Sequence, residues 1–128
     1  CGTGHSVSFV GNVHEGPHAL NGRNTVVFQP GMIVTDEPGV YEGGQVGIRI
    51  ENELMCVHKA DNQYGTFLGF EPIMFVPIAT SPVVPGVLTR DELDWLNAYH
   101  RKVFTKLAPH LTEEERDWLA KKCAAIGA

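Results

Sequence analysis

Two acidic stretches lie on either side of a pair of glycines, and they limit what this chain can fold into more than any other feature. The first is Met32-Ile33-Val34-Thr35-Asp36-Glu37-Pro38-Gly39, and the second is Gly47-Ile48-Arg49-Ile50-Glu51-Asn52-Glu53. Both carry β-branched residues and Gly43-Gly44 lies between them, the pattern of two strands joined by a turn. A hairpin folded at residue 44 sets Glu37 opposite Glu51. Like charges directly opposite destabilise a sheet. Such a pair needs a cation between its members or water around both, and the plain alternative is a solvated polar strand face. Two further segments favour the cation: Gly2-Thr3-Gly4-His5, and Asn12-Val13-His14-Glu15-Gly16-Pro17. Imidazole with two carboxylates is a ligand set for a divalent metal, and paired carboxylates can bridge two metals. Taken singly, His5 or His14 reads as an ordinary loop histidine; both precede the paired carboxylates. His18 lacks that context and is expected to face solvent.

Composition narrows the function classes. With 128 residues and 43% apolar content, the chain can bury one domain core. A net charge of −5 argues against a nucleic-acid footprint. No run of eighteen apolar residues is present to span a membrane. Cys1, Cys56 and Cys123 are scattered, without CxxC or zinc-knuckle spacing, which suggests a reduced, intracellular protein. No signal peptide is visible. The chain has no initiator Met and opens inside a Gly-rich segment, so a preceding segment is expected. Gly2-Thr3-Gly4 lacks the third glycine and the preceding strand of a dinucleotide fingerprint.

Along the chain, residues 1–24 read as loop, because glycines break every periodicity. Residues 25–28 form a short apolar run, and Gln29-Pro30-Gly31 fits a type II turn. A strand is expected over 32–37, a loop over 38–45 and a long strand over 46–57 that turns apolar toward a core. Residues 58–65 read as loop, followed by two strands, 66–70 and 73–76, divided by Glu71-Pro72. Glu71 is left outside the site as a supporting or capping group. Pro82 and Pro85 mark an extended linker from Ala79 to Val87. Thr89-Arg90-Asp91-Glu92 and Thr112-Glu113-Glu114-Glu115 are capping boxes opening two helices, the first stopped by Pro109. Leu93, Leu96, Val103 and Leu107 recur at a helix period, and Trp118, Leu119, Ala124 and Ile126 supply the second core face. The aromatic residues of these helices read as packing rather than a partner surface.

Gly-Thr-Gly-His at 2–5, Asn-Val-His-Glu-Gly-Pro at 12–17, Gly-Met-Ile-Val-Thr-Asp-Glu-Pro-Gly at 31–39, Gly-Ile-Arg-Ile-Glu-Asn at 47–52 and Phe-Glu-Pro at 70–72 resemble Xaa-Pro aminopeptidases (aminopeptidase P). These are a branch of the pita-bread metallopeptidases, beside prolidase, creatinase and methionine aminopeptidase. Asp94-Trp95-Leu96-Asn97-Ala98-Tyr99-His100 resembles the C-terminal extension of the larger cytosolic type.

The resemblance implies an α+β fold, the C-terminal half of a pita-bread domain: a curved, mostly antiparallel sheet with outer helices. Residues 1–80 would be the catalytic half, and 81–128 a helical extension packed on the same domain. It implies two divalent metal ions, manganese by family habit. His5 would bind one metal, Glu37 would bind a metal and shuttle protons, and Glu51 would bridge both. His14 would face the substrate and steady the scissile carbonyl, while Arg49 would hold the nearby carboxylates. The family has a substrate-facing histidine four residues before the metal histidine, and this chain has Cys1 there. The family also takes two aspartate ligands from a strand upstream of Gly2, so this chain is expected to be a piece, inactive alone. The implied substrate is a peptide with proline second, cut after its first residue in the cytoplasm. The implied assembly is a homodimer or a pairing with the upstream half, with no nucleic acid and no membrane. The alternatives are a prolidase-like dipeptidase and a non-catalytic peptide- or histone-binding module on the same fold.

Overall fold

The computed structural model of the chain describes residues 2–7 and 9–127, with only the backbone of Pro85. The architecture is α+β and forms two compact units, one ending at Met74 and the other starting at Phe75.

The regular elements of the first unit, among the described residues, are all strands. β1 (His5–Ser6) pairs antiparallel with β2 (Glu15–Ala19), so the 1–24 region is not plain loop as its glycines suggest. Its glycines serve the turn instead: Gly4 sits at φ +80°, and a Cβ there would lie 2.6 Å from the Leu20 carbonyl oxygen. His18 is only 8% exposed, against the solvent-facing expectation. Its Nε2 donates to the Ile33 carbonyl at 2.9 Å, and its ring meets Phe28, which in turn meets Phe70 edge-on. An aromatic cluster, not charge, decides where this histidine goes.

The Gln29-Pro30-Gly31 turn closes with a hydrogen bond from Met32 N–H to the Gln29 carbonyl and Gly31 at φ +92°, as the type II reading requires. β3 (Ile33–Asp36) then pairs with β6 (Asn52–Asn62), which pairs with β7 (Gly65–Pro72). Between β3 and β6, β4 (Gly39–Glu42) and β5 (Val46–Arg49) form their own two-stranded ladder. The expected loop over 38–45 is therefore half strand, and the expected strand over 46–57 is two strands in different ladders.

The pairings Ile33↔Met55, Asp36↔Asn52, Gly39↔Arg49 and Glu42↔Val46 are all centred on Gly44, at φ +72°. The hairpin register read from the sequence therefore holds through both ladders. What divides them is Pro38. It has no N–H to return to Ile50, although its carbonyl accepts from Ile50 N–H at 3.3 Å. Glu37 and Glu51 fall in that break.

β6 continues through the polar stretch to Asn62, and only Gln63-Tyr64 turn before β7. The cross-strand pairs Lys59–Glu71 and Thr66–Asp61 give the polar residues partners on the ladder. Glu71-Pro72 does not divide two strands. β7 runs to Pro72 at the sheet edge, where a missing N–H is tolerated; residues 73–76 form no strand, although Ile73 N–H still donates to the Glu53 carbonyl at 2.9 Å.

The second unit is helical. α1 (Arg90–Leu107) opens on Thr89 with a full capping box to Glu92, and α2 (Glu113–Lys122) opens on Thr112 with one to Glu115. Pro109 follows α1 inside a 3₁₀ turn, Ala108–His110. Tyr99, Val103 and Leu119 form the buried centre, with Phe75, Ile78, Phe104, Leu107, Leu111 and Cys123 against them. Leu119 carries the α2 face alone. Trp118, one position round the helix, is 56% exposed, and Ala124 is also exposed, so the expected four-residue face is corrected.

The Asp94–His100 segment has a structural task. Asn97 pairs its side-chain amide with both backbone groups of Ile126, Tyr99 donates to the Val76 carbonyl, and His100 Nε2 accepts from Ile78 N–H. Backbone groups of Val76, Ile78 and Ile126, which lie outside helix and strand, are satisfied by side chains of α1.

His100 is 1% exposed, and desolvation pushes its pKa below the ordinary 6.5. A histidine held neutral in the fold costs nothing above pH 6.5, where both states are neutral. Below it, the unfolded chain takes up the proton first and is favoured. The melting temperature of the helical unit is therefore expected to fall as pH drops from about 6.5 to 5. His100→Gln keeps an acceptor for Ile78 N–H and cannot titrate. Circular dichroism melts should show a flatter pH dependence for this variant; an identical slope would remove His100 as the cause.

Candidate metal centre

The break between the two ladders gathers the polar residues singled out in the sequence. Glu37 follows β3, Glu51 precedes β6, Arg49 ends β5 and His5 starts β1. His5 Nε2 lies 2.9 Å from Glu37 Oε1. Arg49 Nη1 lies 3.4 Å from Glu37 Oε2 and 3.5 Å from Glu51 Oε2. The two glutamates therefore share one guanidinium nitrogen. The cation demanded by two neighbouring carboxylates is supplied by the chain itself.

His14 joins the group through His5, with ring centroids 4.4 Å apart and planes at 88°. It is exposed, on a loop shaped by Asn12 N–H donating to Glu15 Oε1 at 2.7 Å. Cys1, the remaining candidate, lies outside the described residues.

Three residues that the sequence reading passed over hold this arrangement. Thr35 Oγ1 accepts from Gly4 N–H at 3.1 Å and donates to Glu37 Oε1 at 3.1 Å. Thr3 Oγ1 accepts from Glu37 N–H at 2.9 Å. The Tyr41 hydroxyl accepts from Arg49 Nε at 2.7 Å and, ahead of the two carboxylates, favours the charged guanidinium. The Tyr41 ring lies over Gly39 and Gly47, where an added Cβ would come within 2.8 and 3.0 Å of it. The sequence held signals for two of them. Thr35 is two residues from Glu37, on the same strand face. Tyr41 pairs with Gly47, two residues before Arg49, and a glycine facing an aromatic marks a close approach.

Among the described residues, no group of three or more histidine, cysteine, aspartate or glutamate side chains is arranged as a metal shell. The donor chemistry nevertheless fits a hard divalent ion. His5 Nδ1 lies 2.8 Å from the Ser6 carbonyl, which can only accept, so Nδ1 carries the proton. That leaves the Nε2 lone pair aimed at Glu37 Oε1. Two acceptors 2.9 Å apart hold together only with positive charge between them, a proton or a metal ion. A carbonyl fixing the far nitrogen is the usual support of a metal-binding histidine.

Comparison with known proteins agrees with this chemistry. Residues 1–58 match "Metallopeptidase family M24", and residues 66–126 match the "C-terminal region of peptidase_M24". Aminopeptidase P1 of Lotus japonicus is 42% identical over 98% of this chain and 20% of its own length. Aminopeptidase P2 of Arabidopsis thaliana is 46% identical over 92% of this chain and 18% of its own length. A solved X-prolyl aminopeptidase from Caenorhabditis elegans, described as a cytosolic enzyme with a di-nuclear active site, superposes with a TM-score of 0.86. It is 39% identical over 98% of this chain and 21% of that one. The chain thus spans about a fifth of the length of the relatives it matches.

The shared guanidinium makes a prediction for the chain without metal. Arg49→Met leaves Glu37, whose side chain is 8% exposed, beside Glu51 with no cation between them. Breaking a buried pair destabilises strongly and an exposed one little; with Arg49 half exposed and Glu37 buried, a lower urea midpoint is expected at pH 7. Adding Glu51→Gln should recover part of the loss, because the repulsion is then removed. A double variant no more stable than Arg49→Met alone would show that the carboxylates do not repel.

Proposed function

The chain belongs to metallopeptidase family M24, and we propose that it supplies one side of a dinuclear metal site that removes the N-terminal residue preceding proline in a peptide. The observation that carries the proposal is the run of contacts at the ladder break, from His5 to Glu37 and from Glu37 through Arg49 to Glu51, which links one imidazole and two carboxylates from separate strand ends. One imidazole and two carboxylates form a hard ligand set suited to manganese. They are too few to complete two metal shells, so a complementary segment brings the remaining ligands, two aspartates by family pattern. When bound, the metal ions supply Lewis acidity and ionise water near neutral pH.

The chain's own residues do the rest. Glu51 would hold both metal ions, Glu37 would hold one and accept a proton at its carboxylate, and Arg49 would hold the nearby carboxylates in place. His14, exposed beside His5, donates to the substrate carbonyl as negative charge develops there. Cys1 contributes to the substrate side. Residues 1–80 form the catalytic part and 81–128 the helical extension. The relatives' names and the cytosolic description of the solved enzyme support a cytosolic peptidase, and no described helix is long and apolar enough to cross a membrane. Assembly as a homodimer, or with the complementary segment, belongs to the same proposal.

The test joins this chain to the upstream segment of Arabidopsis aminopeptidase P2, loads manganese and supplies Xaa-Pro tripeptides and dipeptides. Release of the first residue from tripeptides is expected. Turnover of dipeptides alone would make the protein prolidase-like, and bound metal without turnover would make it a binding module. In the same assembly, His14→Ala should lower kcat by roughly 10²–10³, the worth of one oxyanion donor, with manganese content unchanged. Loss of metal with normal kcat after reloading would make His14 a ligand instead.

A further inference from the structure

We propose that Thr35 is a positioning residue of the metal centre, and that with Thr3 it forms a two-hydroxyl clamp setting His5 and Glu37 in register. The proposal rests on the metal reading of those two ligands.

The two ligands come from elements distant in sequence, the Gly-Thr-Gly-His turn and the end of β3. No continuous ladder joins them at this point. The contact is made by threonine hydroxyls, and it is reciprocal. Glu37 N–H, left without a ladder partner by the break at Pro38, donates to Thr3 Oγ1 at 2.9 Å. Gly4 N–H donates back to Thr35 Oγ1 at 3.1 Å.

The direction of the remaining hydrogen bond follows. Thr35 is 2% exposed, and its oxygen already accepts from Gly4, so its one proton is directed to Glu37 Oε1 at 3.1 Å. Glu37 Oε1 is thereby held on the side that His5 Nε2 approaches, and Oε2 is left toward Arg49. The Gly4 peptide is engaged on its other side too, because its carbonyl accepts from Leu20 N–H at 2.7 Å. The turn cannot slide along β3 without losing buried hydrogen bonds.

A strand position on this face would accept valine as readily as threonine by shape and β-propensity. The hydroxyl is what valine lacks. Thr35→Val leaves the buried Gly4 N–H without an acceptor and Glu37 Oε1 without its donor. Thr35→Ser keeps both bonds.

The experiment is a manganese titration of the ¹⁵N-labelled chain completed by the upstream segment of Arabidopsis aminopeptidase P2, read by paramagnetic broadening of its amide signals, with Gly4 amide exchange measured on the same samples. In the unmodified chain, broadening should centre on Gly4, His5, Glu37 and Glu51. Thr35→Val should move the manganese midpoint up by about tenfold or more, the usual cost of losing a group that supports a ligand, and Gly4 exchange should accelerate. Thr35→Ser should restore both readouts. Should Thr35→Val fail to fold, Thr3→Ala serves instead: it lies at an exposed position, removes the reciprocal bond and should weaken manganese binding several-fold. A folded Thr35→Val or Thr3→Ala chain with the manganese midpoint of the unmodified chain overturns the clamp and leaves the metal reading standing. No localised broadening in the unmodified chain overturns the metal reading and the clamp together.

Discussion

Two carboxylates placed where a hairpin ladder is interrupted need positive charge beside them, and much of the first unit follows from that need. Glu37 is nearly buried, with His5 Nε2 against one carboxylate oxygen and the Arg49 guanidinium against the other. Arg49 is shared with Glu51, so a single guanidinium ties the end of β5 to both acidic positions. Tyr41 fixes that guanidinium from the hairpin side, and Gly39 and Gly47 leave room for the Tyr41 ring. The hairpin of β4 and β5 is exposed throughout, and its apolar pair Val40↔Ile48 buries little within this chain. Holding Arg49 in place is the contribution this hairpin makes to the site.

The interruption that creates the site is itself local chemistry. A continuous ladder through residues 37 and 51 would pair their backbones and project the carboxylates as ordinary cross-strand neighbours. Pro38 removes one donor, and Thr3 captures the Glu37 N–H. The strand pair is thus opened at one step and closed again on both sides with unchanged register. Side chains entering from the Gly-Thr-Gly-His turn fill the opening.

The register was readable from the sequence because Gly43-Gly44 fixed the turn and the β-branched residues on both sides fixed the strands. The meeting of Glu37 with Glu51 followed from that symmetry, and the candidates His5 and His14 followed from their company. The strand breaks were not readable, because the same Val-Gly-Ile-Arg-Ile pattern serves one long strand or two. The polar end of β6 was hidden for a related reason: its residues pair across a ladder with Glu71 and Thr66, so polarity there does not signal a loop. His18 was misjudged because its burial depends on Phe28 and Phe70, far apart in sequence. The helices were the most legible part, since both capping boxes are local and complete. Trp118 was the exception, as aromatic character alone does not say which helix face is inward.

The central claim is that the ladder break lined by His5, Glu37, Arg49 and Glu51 is a metal site. Anomalous scattering at the manganese edge from crystals of the manganese-loaded chain, completed by its complementary segment, tests it most directly. The account predicts anomalous peaks within bonding distance of His5 Nε2 and both carboxylates, with the Arg49 guanidinium beside the carboxylates and out of the metal position. Peaks elsewhere would contradict it.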